Sequence, residues 1–375
     1  MADVFFYGTL CHPPLLRAVL GREVRVAPAW LAGHSVFWAE GQHFPMIVEG
    51  GEGARGVLAE GLGPDDIARL DHYEGGFDYR TRDLAVLADG RSVVARVFFP
   101  EPGRWRPGRP WRLEDWVAQS GPVAVEAAGE VMRLLGVVPA DQIAARYQMI
   151  LMHAASRLRA GAGGPARLRR QAGEGDVEVE AWRQPYARFF AIEEYDLRFR
   201  RFDGTMSQVV NRAAFISSDA AVVLPYDPIR DRVLLIEQFR MGPYARGDAE
   251  PWLIEAIAGR VDPGETPEDA ARREAEEEAG LTLRDLIAVA HYYPSPGAKA
   301  EFLYTYLALA DLPDDAAGLG GVEGEAEDIR AHLVDFDTLM TLVDSGEVNN
   351  APLLVLAMAL ARRRDDIRRR HRATP

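Results

Sequence analysis

Residues Gly259 to Leu281 read GRVDPGETPEDAARREAEEEAGL. Pro263 and Gly264 mark a turn, Thr266 can N-cap a helix with Pro267 at its first position and Asp269 three residues after the cap, and Gly280 supplies the C-terminal stop. These signals predict a helix over Pro267 to Ala279. On it Glu274, Glu277 and Glu278 stand at i, i+3 and i+4, so three carboxylates project from one face. Neighbouring like charges destabilise a helix unless something neutralises them, and hard divalent cations prefer oxygen ligands. Mg²⁺ is the natural counter-charge, with Mn²⁺ as an alternative. An isolated acidic string is more often a solvated helix face, so the residues around it must decide.

The chain of 375 residues exceeds the size at which one hydrophobic core stops growing, which predicts two domains. With 48% hydrophobic and 27% charged residues, and no apolar run near the roughly 20 residues that span a bilayer, a soluble protein without a membrane partner is expected. The start, MADVFFYGTL, lacks the basic and apolar regions of a secretory signal, and the lone Cys11 has no partner in the chain, which predicts a cytoplasmic location. A net charge of -14 argues against a general nucleic-acid binder, because phosphate backbones are held by clustered Lys and Arg. The basic run of Arg362, Arg363, Arg364, Arg368, Arg369, Arg370 and Arg372 reads as the solvated end of a last helix.

RLRAGAGGPARLRRQAGEGD, Arg157 to Asp176, is rich in Gly and Arg and has no apolar period, so domains are expected at 1–158 and 176–375 with a linker at 159–175. Before it, strand-like runs at Val4 to Tyr7, Gly56 to Ala59, Leu84 to Leu87 and Val93 to Phe99 alternate with helical stretches at Asp65 to Tyr73 and Leu113 to Leu135, an α+β pattern. After it, strands are expected at Val177 to Trp182, Ile192 to Phe202, Ala213 to Ser217, Ala220 to Pro225, Val233 to Phe239, Ala288 to Tyr293, Phe302 to Ala308 and Ile329 to Val334. Two helices close the chain, Asp335 to Ser345, capped by Asp335 or Asp337, and Ala351 to Arg363, started by Asn350 and Pro352.

Gly259, Glu265, Arg273, Glu274, Glu277, Glu278, Gly280 and Leu281 match every fixed position of the Nudix signature, and the C-terminal half resembles the Nudix hydrolases. The resemblance implies an α/β/α sandwich in which the loop and helix hold metal. It implies Glu274 and Glu278 as principal ligands, with Glu277 beside them and the main-chain carbonyl of Ala258 joining, while Glu265 and Arg273 pair to brace the loop.

SSDAAVVLPYDPIRDRVLLIEQFR, PWLIEAIAGRVDPGE, PSPGAKAE and EGEAEDIR resemble the bacterial ADP-ribose pyrophosphatase family, including its members named for tellurite resistance. Pro294 or Pro296, 14 or 16 residues after Gly280, fills the place of a family proline that marks ADP-sugar substrates. The resemblance implies that Arg212 and Arg240 grip phosphate and sugar, that Phe189 and Phe190 contact the nucleotide from the partner of a swapped homodimer, and that Ser295, Pro296, Gly297 and Glu301 lie beside the terminal ribose. In the acidic string Glu323 to Asp328 it implies Glu325 as general base and Glu327 as a further metal ligand. The expected chemistry is in-line attack of water on the pyrophosphate of ADP-ribose, giving AMP and ribose 5-phosphate. Another ADP-sugar as substrate, or a sensor that binds ADP-ribose without cleaving it, fits the same residues.

The opening VFFYGTL and the later LDHYEGGFDYRT resemble the gamma-glutamylcyclotransferase-like family, an α+β barrel. The resemblance implies that the amides of Tyr7, Gly8, Thr9 and Leu10 hold an anionic group, that Glu74 is the acid/base carboxylate, and that Tyr79 and Arg80 belong to the segment that follows. An idle binding module is the alternative. The segment from Trp105 to Leu135 is added to the family pattern, and its amphipathic helix is a candidate for docking on the C-terminal domain.

Overall fold

The computed structural model describes residues 1–77, 79–321 and 328–372. The chain divides into two compact units, Met1–Arg167 and Leu168–Pro375. In the first, strands β1 (Ala2–Phe6), β2 (Val26–Ala39), β3 (Pro45–Leu62), β4 (Tyr79–Ala88), β5 (Arg91–Pro100) and β6 (Pro107–Pro110) accompany helices α1 (Pro13–Leu20), α2 (Pro64–Glu74), α3 (Leu113–Arg133), α4 (Ala140–Ala144) and α5 (Tyr147–Gly161). The order β3-β1-β5-β4-β2, with β2 pairing back to β3, closes a five-stranded barrel, and β6 extends it from β2. Closure removes the sheet edges, and Phe5, Leu31, Ile47, Leu58, Val86 and Val97 fill the interior.

Helix α3 packs on α1, α2 and α5 of its own unit and is buried at Trp116, Ala127, Ala128 and Val131. An ion cluster ties these helices. The buried Glu130 accepts from Arg146 at 3.2 Å and from Arg157 at 3.0 Å, and Arg157 also reaches Glu126 at 2.7 Å. Helix α5 continues beyond Arg157 to Gly161.

The second unit contains β7 (Val177–Ala187), β8 (Ala191–Phe199), β9 (Val210–Ile216), β10 (Ala220–Asp227), β11 (Arg232–Phe239), β12 (Trp252–Glu255), β13 (Ile257–Arg260), β14 (Leu286–Tyr292), β15 (Lys299–Ala300), β16 (Leu303–Leu309), β17 (Leu319–Gly320) and β18 (Ile329–Asp335), with helices α6 (Met241–Arg246), α7 (Pro267–Ala279), α8 (Phe336–Ser345) and α9 (Ala351–Arg372). A mixed sheet runs β14-β16-β10-β11-β18-β17, with β12 on β11 and β13 on β10. One of its faces buries Ala270, Ala271 and Ala275 of α7, the other Leu339 of α8 and Leu353, Leu356 and Leu360 of α9. The result is the expected α/β/α sandwich. A separate four-stranded sheet, β15-β9-β8-β7, stands beside it.

Helix α9 runs nine residues beyond the expected end at Arg363. Arg364 and Arg368 both engage Asp231, and Arg364 lies 4.1 Å from the Phe336 ring centroid, so part of the basic run anchors the helix rather than meeting solvent. Asp335, not Asp337, caps α8, accepting from Thr338 N at 2.7 Å. Among the described residues no helix is long and apolar enough to cross a membrane.

Candidate active sites

Helix α7 starts and stops where its sequence dictates: Thr266 Oγ1 accepts from Asp269 N at 3.1 Å, and Gly280 takes the left-handed conformation, φ 61°. Arg273 organises the acidic face. Its guanidinium donates to both Glu265 oxygens at 3.0 and 3.1 Å, to Glu274 at 2.7 Å, to Glu277 at 2.9 Å and to the Arg260 carbonyl at 2.9 Å. Burial opposes this charge, but the bonds to Glu265 and Glu274 outweigh it and hold the Arg273 pKa above its ordinary value. The loop is therefore tied to the helix through one residue, and Glu265 closes it by accepting from Asp262 N at 3.1 Å.

Glu278 is 2% exposed, and Ala258 N points at its Oε2 from 3.4 Å. A Cβ at position 259 would meet the Glu274 carboxyl, so a larger residue there would displace that side chain from its present place over β13. Three carboxylates thus gather around one guanidinium, with Glu278 buried on the same helix, an excess of negative charge with an all-oxygen donor set, which suits a hard divalent cation. Among the described residues no three ligating side chains already close on one point, because Arg273 draws Glu274 and Glu277 towards itself. Glu325 and Glu327 lie outside the described residues. The chain entering that segment is placed: a Cβ at Gly320 would strike the Glu278 carbonyl, and Gly320 pairs with Ile329.

Other expected residues scatter around this face. Arg240 donates to Glu255 at 2.6 Å, and burial pushes the Glu255 carboxyl up despite that partner. Phe189 and Phe190 sit in the turn between β7 and β8, in edge contact at 4.8 Å, and Phe190 meets Phe215 at 4.7 Å. Arg260 of the same chain lies 4.0 Å from the Phe189 centroid, which joins the aromatic pair to the loop that Arg273 braces. Arg212 is exposed on β9 and bonds the neighbouring Asn211 carbonyl at 2.8 Å. Ser295 accepts from Ala298 and Lys299 amides, and Pro296, Gly297, Tyr293, Ala214 and Lys299 line an open cleft of about 310 Å³. Glu301 holds Lys299 at 2.8 Å and Ser217 at 3.3 Å. Sequence reading missed Glu255 and Arg260. The second adjoins the signature glycine, but nothing local reveals that it reaches Phe189, 71 positions earlier.

The first unit carries a second site. Glu74 ends α2, and burial pushes its carboxyl up to about 7. Burial pushes up the hydroxyls of Tyr7, Tyr73, Tyr79 and Tyr147, and the Glu74 charge pushes each further. Tyr79 donates to the Pro45 carbonyl at 3.1 Å. Pro45 lies where a Gly8 side chain would be, 2.7 Å from its Cβ position, so the turn from Tyr7 to Leu10 is fastened beside Tyr79. Thr9 and Leu10 open a 3₁₀ turn, whose first amides have no partner within the turn and can hold an anion. Arg80 pairs with Glu101. Tyr73 and Tyr147 were missed, since 74 positions separate them.

The Glu74 shift has a sign that can be measured. Its folded-state value, about 7, lies above the 4.5 of a free carboxyl, so the native protein binds the extra proton between the two and loses stability as pH rises through that window. Glu74→Gln is expected to leave Tm unchanged at pH 4 and to raise it at pH 8. Equal Tm differences at both values would mean that the carboxyl is solvated.

A NUDIX domain model matches residues 217–355, and a model described as gamma-glutamyl cyclotransferase, AIG2-like, matches residues 4–118. The chain belongs to the Nudix hydrolase family, with an AIG2-like domain ahead of the hydrolase unit. It is 40% identical over 183 residues to the ADP-ribose pyrophosphatase of Escherichia coli (strain K12), covering 49% of this chain and 87% of that one. The ADP-ribose pyrophosphatase of Haemophilus influenzae is 35% identical over 177 residues, covering 47% and 81%. The GDP-mannose pyrophosphatase of Yersinia pestis is 30% identical over 168 residues, covering 45% and 83%. A solved structure titled "Crystal structure of ADP compounds hydrolase" is 21% identical, with a TM-score of 0.39, and covers 51% of this chain and 97% of that one.

Proposed function

We propose that the second unit hydrolyses the pyrophosphate of ADP-ribose to AMP and ribose 5-phosphate with Mg²⁺. The observation that carries this reading is the buried Glu278 beside Ala258, next to Glu274 and braced by Arg273. Glu274, Glu278 and the Ala258 carbonyl would hold the cation, with Glu277 at the exposed rim and Glu327 added from the acidic segment. When bound, Mg²⁺ supplies positive charge that neutralises the scissile phosphate and its leaving oxygen. Arg240 is proposed to exchange Glu255 for substrate phosphate, its planar fork suiting paired oxygens, with Arg212 on the sugar side. Glu325 Oε is proposed to accept the proton of the attacking water.

Phe189 offers an aromatic face for adenine, and Ser295 to Gly297 with Glu301 form the floor for the terminal ribose. A homodimer is supported by the exposed Val177, Val179, Tyr186 and Phe189 on the separate sheet, an apolar surface that a second copy would cover. A cytoplasmic location is proposed, in keeping with a chain whose single cysteine, Cys11, has no partner for a disulfide.

The test is a nucleotide-sugar panel on the full chain, with products resolved by chromatography. ADP-ribose is expected to be cleaved fastest with Mg²⁺, and EDTA to abolish turnover. Full activity in EDTA would remove the metal from the mechanism, whereas faster cleavage of ADP-glucose or GDP-mannose would reassign the substrate. Binding without turnover would make the unit a sensor.

A second reading concerns the first unit, where the Glu74 recess supports cyclisation of gamma-glutamyl amides to 5-oxoproline. A pKa near 7 lets Glu74 both accept and return a proton at neutral pH. The turn from Tyr7 to Leu10 would hold the substrate carboxylate.

A further inference from the structure

Among the residues that line the open cleft of the second unit, Lys299 is the one that carries a charge. It is also the only lysine in the chain. A compact ammonium thus occurs once in this protein, and it stands on the wall of a cavity of about 310 Å³.

The backbone fixes where it stands. The Ser295 carbonyl accepts from the Ala298 amide at 3.1 Å and from the Lys299 amide at 2.9 Å, which closes a turn, and Phe215 N donates to the Ala298 carbonyl at 2.8 Å. Strand β15 therefore runs parallel to β9 with Lys299 opposite Phe215. Lys299 Nζ lies 5.8 Å from the Phe215 ring centroid and donates to Glu301 Oε2 at 2.8 Å, while Glu301 Oε1 accepts from Ser217 Oγ at 3.3 Å. Glu301 is 16% exposed and is not part of the cleft lining, so it holds the ammonium without putting its own charge on the wall. One of three ammonium protons is used in this way, and with 35% of its side chain exposed Lys299 keeps donors for a ligand.

The remaining lining, which includes Ala214, Tyr293, Pro296 and Gly297, is neutral. A concave surface with one fixed cation and no carboxylate in its lining attracts an anion. At longer range Glu301 offsets the ammonium, so the attraction acts on a group that reaches the wall rather than on the substrate as a whole. The cleft also adjoins the signature loop: Phe215 meets Phe190 at 4.7 Å, and the Arg260 guanidinium, next to Gly259, lies 5.4 Å from the Phe190 centroid.

We propose that Lys299 makes this cleft a subsite for an anionic group on the distal sugar, and that the second unit prefers nucleoside diphosphate sugars whose terminal ribose carries a phosphate. The proposal rests on the pyrophosphatase reading, with Ser295 to Gly297 as the floor for the terminal ribose. That floor shares Pro296 and Gly297 with the cleft, so a substituent on this ribose is the part of the substrate that comes within reach of Nζ. Lys299 serves such a phosphate as a point charge and contributes to specificity, while the cleavage step stays with the carboxylates of α7.

The test compares ADP-ribose with ADP-ribose 1″-phosphate on the full chain with Mg²⁺ at low ionic strength, with AMP measured by chromatography. The phosphorylated compound is expected to have a kcat/KM at least about tenfold higher, the factor that one charge-assisted contact supports. Lys299→Met is expected to bring the ratio to about one, and Lys299→Arg, which keeps the charge, to retain most of it. A residue that only braced the turn through Glu301 would change both substrates alike. Equal kcat/KM in the parent, a preference for ADP-ribose, or a ratio that Lys299→Met leaves in place would overturn the subsite and leave the pyrophosphatase reading standing. If neither compound is cleaved, that reading fails and labelling decides the subsite alone. Because Lys299 supplies the only ε-amine, its acetylation by an N-hydroxysuccinimide ester, followed by peptide mass spectrometry, reports one position. Protection by ADP-ribose 1″-phosphate in EDTA, but not by ADP-ribose, keeps the anion subsite, and equal or absent protection ends it as well.

Discussion

Glu278→Gln is expected to lower kcat for ADP-ribose hydrolysis by at least ~10²-fold, the loss that follows when charge stabilisation at a reacting phosphate is removed. The substitution is nearly isosteric, and the amide can keep the contact with Ala258 N, so neither the helix nor the β13 register should move. What disappears is the buried negative charge, which an amide cannot supply to a cation. Circular dichroism and Tm should match the parent, and the affinity for Mg²⁺, read by titrating activity, should fall together with kcat. A near-native rate at saturating Mg²⁺ would mean that the Glu278 charge takes no part in turnover.

Glu130→Ala is expected to destabilise the first unit by about 3–5 kcal/mol, the range for removing one partner from a buried ion pair. The carboxylate is fully buried between Arg146, Arg157 and His153, with the His153 Nδ1 3.6 Å away. Burial alone would raise its pKa, but the His153 ring and the Arg157 guanidinium hold it at about 2. A carboxyl depressed in the folded state stabilises above its unfolded value, near 4.5, and that stabilisation is lost as pH falls towards 2. The deficit of the variant should therefore be full at pH 7 and shrink below about pH 4. Urea unfolding followed by tryptophan fluorescence suits the measurement, since Trp30, Trp38, Trp105, Trp111 and Trp116 all lie in this unit. A change under about 1 kcal/mol would show the cluster to be solvated. ADP-ribose hydrolysis should persist, because the second unit has its own core.

Much of the hydrolase unit was legible because its chemistry is local. Thr266, Pro267 and Gly280 state the limits of α7 within one stretch of chain, and three carboxylates on one helical face follow from a 3.6-residue period. The barrel was less so. Strand β2 carries Pro28 and Gly33 inside it, residues that argue against a strand, and it forms because long pairing with β3 closes the barrel.

By itself the sequence determined the division into two units and the helix that carries the acidic face, since each depends on residue type and short spacing. Only the tertiary structure decided which charges and rings stand together: Arg240 with Glu255, Arg260 over Phe189, Glu130 among its cations, and Tyr147 against Phe77. Such pairings depend on where packed elements cross, and a crossing is settled by the burial of whole helix and sheet faces, which no local spacing encodes.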